Sequence, residues 1–162
     1  MSLFLIGAIA LLIWLLTRGA GSQTEQSRIV WVNEGRPPGM TRQLGHNVKV
    51  AGISQPMAQA AASQFLAEES VECSLSLERD PSNEFDRHAI KVIGNWKDGR
   101  GIAHRKQLGW VPREDAREIA KEAPVEPLGV SLQGYFPPGA GRSPGIRIDI
   151  WAARPPKSRK KW

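Results

Sequence analysis

The sequence has a single cysteine, few histidines and no phosphate-binding loop. Cys73 is the only cysteine among 162 residues, so the chain cannot form an internal disulfide. The histidines, His46, His88 and His104, are dispersed along the chain, which disfavours a structural zinc site. Nucleotide hydrolysis has no support, because no glycine-rich segment stands between a strand pattern and a helix pattern. We therefore expect a protein without metal, cofactor or catalytic activity.

Acidic residues are missing from the C-terminal tail, and this absence concentrates positive charge there. The chain has a net charge of +6, and its tail, residues 154–162, carries five basic residues: Arg154, Lys157, Arg159, Lys160 and Lys161. Without them the net charge is +1, so the remainder of the chain is nearly neutral. Such a tail binds the phosphates of nucleic acids or anionic lipid headgroups, or it only keeps the protein soluble. We expect it to supply non-specific affinity for nucleic acid.

Polar and charged side chains are also absent from residues 3–16. This apolar run has 14 residues and reaches the lower limit of a membrane span, about 17 residues, only with its neighbours. A cleaved signal peptide is the alternative, since residues 19–21 are small, although no basic region precedes the run. The arginines that follow favour the cytoplasmic side. We predict that residues 1–18 form a single-pass anchor with the domain in the cytoplasm, whereas signal cleavage would make it secreted or periplasmic.

The remaining sequence divides into a linker, a domain and the tail. Residues 19–45 are rich in glycine and proline and predict a linker. Within it, the β-prone run Ile29–Val32 either adds an edge strand to the domain or lies on its surface. Residues 46–153 predict the folded domain, and residues 154–162 are the basic tail.

Periodicity in the domain predicts a mainly β fold with two helices. Helices are expected over Met57–Glu69 and directly after Pro112, each with one apolar face. Strands are expected over residues 48–52, 71–78, 89–93, 108–111, 130–136 and 146–151. In the last strand we expect the isoleucines to face inwards and Arg147 and Asp149 to face outwards, and we expect Trp96 in or beside a loop. The pattern favours a β-rich α+β domain, a small OB-like, partly open β-barrel.

The stretch Arg79–Val92 (RDPSNEFDRHAIKV) combines a polar turn with the start of an apolar strand. Pro81 presets one backbone dihedral of the turn, and its polar side chains can bond to the nearby backbone. Together with Leu108–Glu114 (LGWVPRE), this stretch resembles the HIRAN domain, over about residues 48–152. The resemblance implies a small β-barrel that accompanies helicases and nucleases and captures the 3′ end of single-stranded DNA.

The resemblance also implies roles for individual residues. Asp86 would receive the terminal 3′-hydroxyl, with Asn83 and Phe85 beside it. A carboxylate accepts a hydrogen bond from a hydroxyl but repels a terminal phosphate. Aromatic rings stack on any base, which suits recognition of an end rather than of a sequence. The alternative is structural: Asp86 caps the turn, and Phe85 belongs to the core.

The segment after Gly52 departs from the DNA-binding members of the family, which have an arginine and two aromatic residues there. Residues 53–56, Ile-Ser-Gln-Pro, contain neither a ring nor a basic side chain. Other rings that could stack on bases are Trp96, Trp110, Tyr135 and Phe136. Other basic side chains that could bind phosphates are Arg87, Lys91, Arg105, Lys106 and Arg142.

Together these features favour a membrane-tethered HIRAN-type module that binds single-stranded DNA at its 3′ end, in DNA repair or DNA processing. A partner helicase or nuclease would supply catalysis, and the sequence does not identify it. The alternative is a protein-interaction or envelope-associated module that keeps the fold and has lost the DNA pocket. The missing rings and the near-neutral domain favour this alternative, whereas Asn83, Phe85 and Asp86 favour DNA.

The membrane prediction can be tested by extraction. Because residues 3–16 carry no charge, the full-length protein should stay in the membrane fraction after carbonate treatment, which releases peripheral proteins. Release of a shortened soluble form into the medium or periplasm would show signal cleavage instead.

Overall fold

A computed structural model describes residues 30–32, 34–67, 73–137 and 143–154. These residues form seven strands and two helices. The strands are β1 (Val30–Trp31), β2 (Arg42–Lys49), β3 (Ser74–Arg79), β4 (Ile90–Lys97), β5 (Ala103–Trp110), β6 (Leu128–Phe136) and β7 (Gly145–Ala152). The helices are α1 (Pro56–Ala67) and α2 (Arg113–Glu122).

The predicted anchor and most of the basic tail lie outside the described residues. Of the tail, only Arg154 is described. Within the described ranges, no helix has the length and apolar character needed to cross a bilayer. The anchor therefore stays a prediction.

The strands form two antiparallel sheets. One sheet has the order β1-β6-β7-β2, and the other has the order β3-β4-β5. This arrangement confirms the mainly β fold with two helices. The sheets do not close into one continuous barrel.

The two sheets are joined at one corner by the chain that follows β2. There the N–H of Ala51 donates to the carbonyl of Trp110 at 2.8 Å, and the N–H of Trp110 donates back at 2.9 Å. Gly109 makes this approach possible, because a Cβ at that residue would clash with the carbonyl oxygen of Ala51. The end of β5 and the start of α2 are thereby fixed beside the loop after β2.

The core fills the space between the sheets and helices, as the apolar patterns predict. Ile146, Ile148 and Ile150 of β7 are fully buried. The predicted inner face of α1 is buried at Ala61, Ala62 and Phe65, and that of α2 at Ala116 and Ile119. Burying side chains of this size stabilises the fold by about 1.5–3 kcal/mol for each large residue.

Trp96 lies beside a loop rather than in one, because β4 ends one residue later, at Lys97. Trp96 is in β4, is only 3% exposed, and its ring packs edge-on against Phe65 and stacks on His104. The strand continues because Gly94 serves packing rather than a turn. A Cβ at Gly94 would lie 2.9 Å from a methyl group of Leu108.

The hairpin turn comes at Asp98, after β4 has ended. Its Oδ1 accepts the backbone N–H groups of Arg100 and Ile102, each at 2.9 Å. Its Oδ2 lies 2.9 Å from Nε2 of His104 on β5. The Asp98 carboxylate therefore binds backbone N–H groups of the turn through one oxygen and the side chain of His104, in the next strand, through the other.

The expectation that Asp149 faces outwards is wrong, because an irregular stretch of the neighbouring strand β2 places polar groups on its carboxylate. Asp149 is only 5% exposed and accepts the backbone N–H of Asn47 at 2.7 Å and Nε2 of Gln43 at 2.9 Å. The pairing of β2 with β7 is irregular, and Asn47 has a φ of 53°, in the left-handed region. This bend directs polar groups of β2 onto Asp149.

The predicted linker contributes to the sheet at two places. β2 begins at Arg42, inside the segment expected to be a linker. The run around Val30 forms the edge strand β1 against β6, which decides between the two alternatives for it. Glu34 extends this attachment, since its carboxylate accepts the N–H of Leu132 at 2.7 Å.

Replacing Gly109 with alanine should destabilise the domain by about 1–3 kcal/mol, the usual effect of forcing an atom into a packed site. The added carbon would clash with the Ala51 carbonyl and lie 2.7 Å from Cγ1 of Val50. Urea unfolding should show a lower midpoint with an unchanged slope. Gly99→Ala is the matched control, because nothing lies within 4 Å of its added carbon. Equal midpoints for the two variants would contradict the role given to Gly109.

Candidate nucleic-acid interface

The turn between β3 and β4 is held together by its own polar side chains. The N–H of Asp80 donates to the carbonyl of Ala89 at 2.8 Å, which closes the base of the turn. Oδ1 of Asn83 accepts the backbone N–H groups of Phe85 and Asp86, both at 3.0 Å. Asn83 therefore sets the backbone that presents the next residues.

Asp86 and Phe85 have opposite environments at this turn. Oδ1 of Asp86 accepts the N–H of His88 at 2.9 Å, and the side chain is 11% exposed, so Asp86 does cap the turn. Phe85 is 79% exposed, so the structural alternative that placed it in the core is wrong. The turn projects Phe85 away from both sheets, and its ring is available to a ligand.

Two arginines of α2 lie against the Asp86 carboxylate. Nε of Arg113 is 3.2 Å from Oδ2, and Nε of Arg117 is 3.9 Å from the same oxygen. Arg113 also donates from Nη2 to the carbonyl of Phe85 at 3.1 Å. The N–H of His88 lowers the pKa of Asp86 most, and the two guanidinium groups lower it further, so the carboxylate is ionised at neutral pH.

A pocket of about 390 Å³ lies beside this carboxylate. The residues that line it include Phe85, Asp86, Arg113, Trp110 and Gln55. It combines two aromatic rings with one carboxylate and one guanidinium group, which can respectively stack on a base, accept from a hydroxyl and bind a phosphate.

The side chain of Lys91 lies over the ring of Trp110, which lines this pocket. Its Nζ lies 5.7 Å from the centre of that ring and 3.0 Å from Oδ2 of Asp80. Lys91 thus orients Trp110 by a cation–π contact and is itself held by the turn.

A second depression, of about 650 Å³, continues from the first. The two share Ala51 and Pro112 in their walls, and the second contains Phe136 and Lys49. Phe136 is therefore near the site, and its use as a replacement ring stays a prediction. Tyr135, which pairs with β1, lines neither of these depressions.

A third depression, of about 1070 Å³, lies on the other side of Asp86. Its charged lining has three basic side chains, Arg87, Arg117 and Lys121, and three acidic ones, Asp86, Glu114 and Glu118. Opposite charges therefore balance here, and Lys121 pairs with Glu118 at 2.6 Å.

Other expected site residues lie elsewhere. Trp96 is in the core, Arg105 forms an ion pair with Glu78, and Lys106 donates to Gln64 of α1. Arg142 is outside the described residues. Sequence reasoning missed Arg113 and Arg117, although their spacing of four residues after Pro112 puts both on one face of α2.

Comparison with known proteins gives no assignment. No family model, no curated protein and no solved structure matches the chain. The described residues contain no group of three or more histidine, cysteine or acidic side chains placed to hold a metal ion. The HIRAN resemblance therefore stays a prediction that rests on the motifs themselves.

Asp86→Asn should make the stability of the protein less dependent on pH in the acidic range. The pKa of Asp86 is lower in the folded protein than in the unfolded chain, where it is about 3.9. The ionised carboxylate therefore stabilises the fold at pH values above about 3.9. That contribution is lost as the pH falls through the lower folded value. In thermal melts, wild type should have a higher melting temperature than the variant at neutral pH, and this difference should disappear as the pH falls below about 4.

Asp115→Asn is the matched control, with the opposite sign. Burial raises the pKa of Asp115, and Glu114 raises it further. Protonation therefore favours the folded state, and wild type should gain stability relative to this variant as the pH falls. If the difference in melting temperature between wild type and Asp86→Asn does not change with pH, the ion pairing described above is contradicted.

Proposed function

We propose that this chain is a HIRAN-type nucleic-acid-binding module that recognises the 3′ end of single-stranded DNA. The observation that carries the proposal is the position of Asp86, an ionised carboxylate in the wall of a pocket that also contains Phe85 and Trp110. A terminal hydroxyl can donate to this carboxylate while the terminal base lies against the rings.

The carboxylate explains why the ligand would be a free end. A 3′-hydroxyl gains a charge-assisted hydrogen bond there, worth about 1.5–3 kcal/mol. A 3′-phosphate, or the continuing phosphate of an uninterrupted strand, would bring negative charge against Asp86 instead. No base edge needs to be read, so the site would accept any terminal base.

Rings elsewhere in the fold would replace those that the segment after Gly52 lacks. Ile53 is only 4% exposed and belongs to the core, so this segment supports the site without touching bases through a ring. Trp110 lies in the first pocket and Phe136 in the adjoining depression. Each stacked base contributes about 1–3 kcal/mol, so these two rings with Phe85 offer enough stacking for a short strand.

The finer fold assignment is part of the same proposal. Two sheets joined at one corner by the Ala51–Trp110 bridge support a partly open, OB-like barrel. We also propose that the module serves DNA repair or DNA processing beside a catalytic partner, with the N-terminal run as its membrane anchor. These statements rest on the sequence motifs and the apolar run.

The test compares short oligothymidylates that end in a 3′-hydroxyl or a 3′-phosphate. Binding of fluorescent oligonucleotides to the full-length protein in detergent should favour the hydroxyl by roughly ten- to hundredfold. Asp86→Asn keeps an oxygen for the His88 N–H but removes the charge, so its preference for the hydroxyl should disappear. The tail is present in both proteins and adds the same non-specific affinity to each.

Asp80→Asn provides the control, because Asp80 is a carboxylate of the same turn that pairs with Lys91 instead. This variant should keep the preference for the hydroxyl. Equal binding of both ends by wild type, or no binding, would sink the proposal and favour a module that has lost its DNA pocket.

A further inference from the structure

We infer that Arg113 is a latch on Asp86 that is released by the phosphodiester next to the terminal nucleotide. The site would then require a 3′-hydroxyl and an adjacent anionic phosphate together, rather than a hydroxyl alone. This inference rests on the proposed function and specifies its ligand further.

The latch is visible in how the two carboxylate oxygens of Asp86 are occupied. Oδ1 accepts the N–H of His88 at 2.9 Å. Oδ2 is buried and accepts no hydrogen bond from any described residue, and Nε of Arg113 lies 3.2 Å from it in an ion pair. A ligand hydroxyl cannot reach a covered oxygen, so the free protein holds Asp86 in a closed state.

Arg113 has the properties of a movable cover. Its side chain is 56% exposed, and it holds the turn through Nη2 and Nε alone, at the end of a long side chain. Rotation about the side-chain torsions would uncover Asp86 without moving α2. The planar guanidinium group would then present paired N–H donors to a phosphate, a geometry that matches phosphate better than the present contact does.

Arg113 fits this role better than Arg117 does. Arg113 is closer to Oδ2, at 3.2 Å against 3.9 Å for Arg117. It also lines the pocket that contains Trp110, whereas Arg117 lines the depression on the other side of Asp86. A phosphate attached to a nucleoside in the first pocket would therefore meet Arg113 first.

Because Arg113 would exchange Asp86 for a ligand phosphate, binding of the 3′-hydroxyl and binding of the adjacent phosphate would be coupled. A hydroxyl that arrives alone must separate Arg113 from Asp86 without replacing the lost ion pair. A ligand that also brings a phosphate supplies Arg113 with a new partner, so each group improves the binding of the other.

Two oligothymidylates with equal charge and free 3′-hydroxyls can measure this coupling. One carries a neutral methylphosphonate at the last linkage, and the other carries it at an interior linkage. Full-length wild type should bind the second more tightly, by roughly ten- to hundredfold. Arg113→Ala should remove this difference, and it should bind the first ligand at least as tightly as wild type does, because Asp86 is then uncovered.

Arg100→Ala is the matched control, because Arg100 lies in the hairpin turn after β4, where Asp98 binds its backbone N–H, and it lines none of the three depressions around Asp86. It should keep the wild-type difference. If Arg113→Ala weakens both ligands equally, or if wild type binds both alike, the latch is overturned. The proposed function still stands in either case when the Asp86-dependent preference for a 3′-hydroxyl persists, and it fails separately when that preference is absent.

Discussion

The reciprocal hydrogen bonds between Ala51 and Trp110 are the constraint on which the candidate site depends. They fix the end of β5 against the chain that follows β2, and α2 begins only three residues later, at Arg113. The pairing of β5 with β4, in which Trp110 lies opposite Lys91, then puts Trp110 and Arg113 beside the turn that carries Asp86. The absence of a side chain at Gly109 is what allows the two backbones to meet.

Local pairing, rather than the overall field of the domain, determines the chemistry of this site. The chain without its tail is nearly neutral, and the depression around Arg117 and Lys121 balances acids against bases. Against this background a single carboxylate with two guanidinium groups can distinguish one functional group from another.

The sequence predicts the parts of the fold that follow from local periodicity. The buried faces of both helices and the isoleucines of β7 lie where their spacing puts them. The errors concern contacts between different elements, which local periodicity does not show. Asp149 alternates like an outward residue, but the bend in the neighbouring strand β2, about a hundred positions earlier, buries its carboxylate. Trp96 follows a Gly-Asn pair that resembles a turn, whereas its glycine makes room for Leu108.

The same distinction applies to the site. Asn83, Phe85 and Asp86 are contiguous, and their turn chemistry can be read from the sequence. Their exposure cannot, because it depends on where the turn lies relative to the core. Arg113 is remote in sequence, and its contact with Asp86 depends on the pairing of β4 with β5, in which Lys91 lies opposite Trp110 and the N–H of Val111 donates to the carbonyl of Ile90 at 2.9 Å.

The short strand β1 has a consequence for the behaviour of the protein in concentrated solution. β6 has nine residues, and β1 with Val32 and Glu34 occupies part of the edge that it would otherwise present. An uncovered edge of that length is a template for pairing with another chain. By covering part of the β6 edge, β1 and the residues just after it disfavour pairing with another chain. A protein shortened to begin at β2 would expose this edge and would be more prone to aggregate.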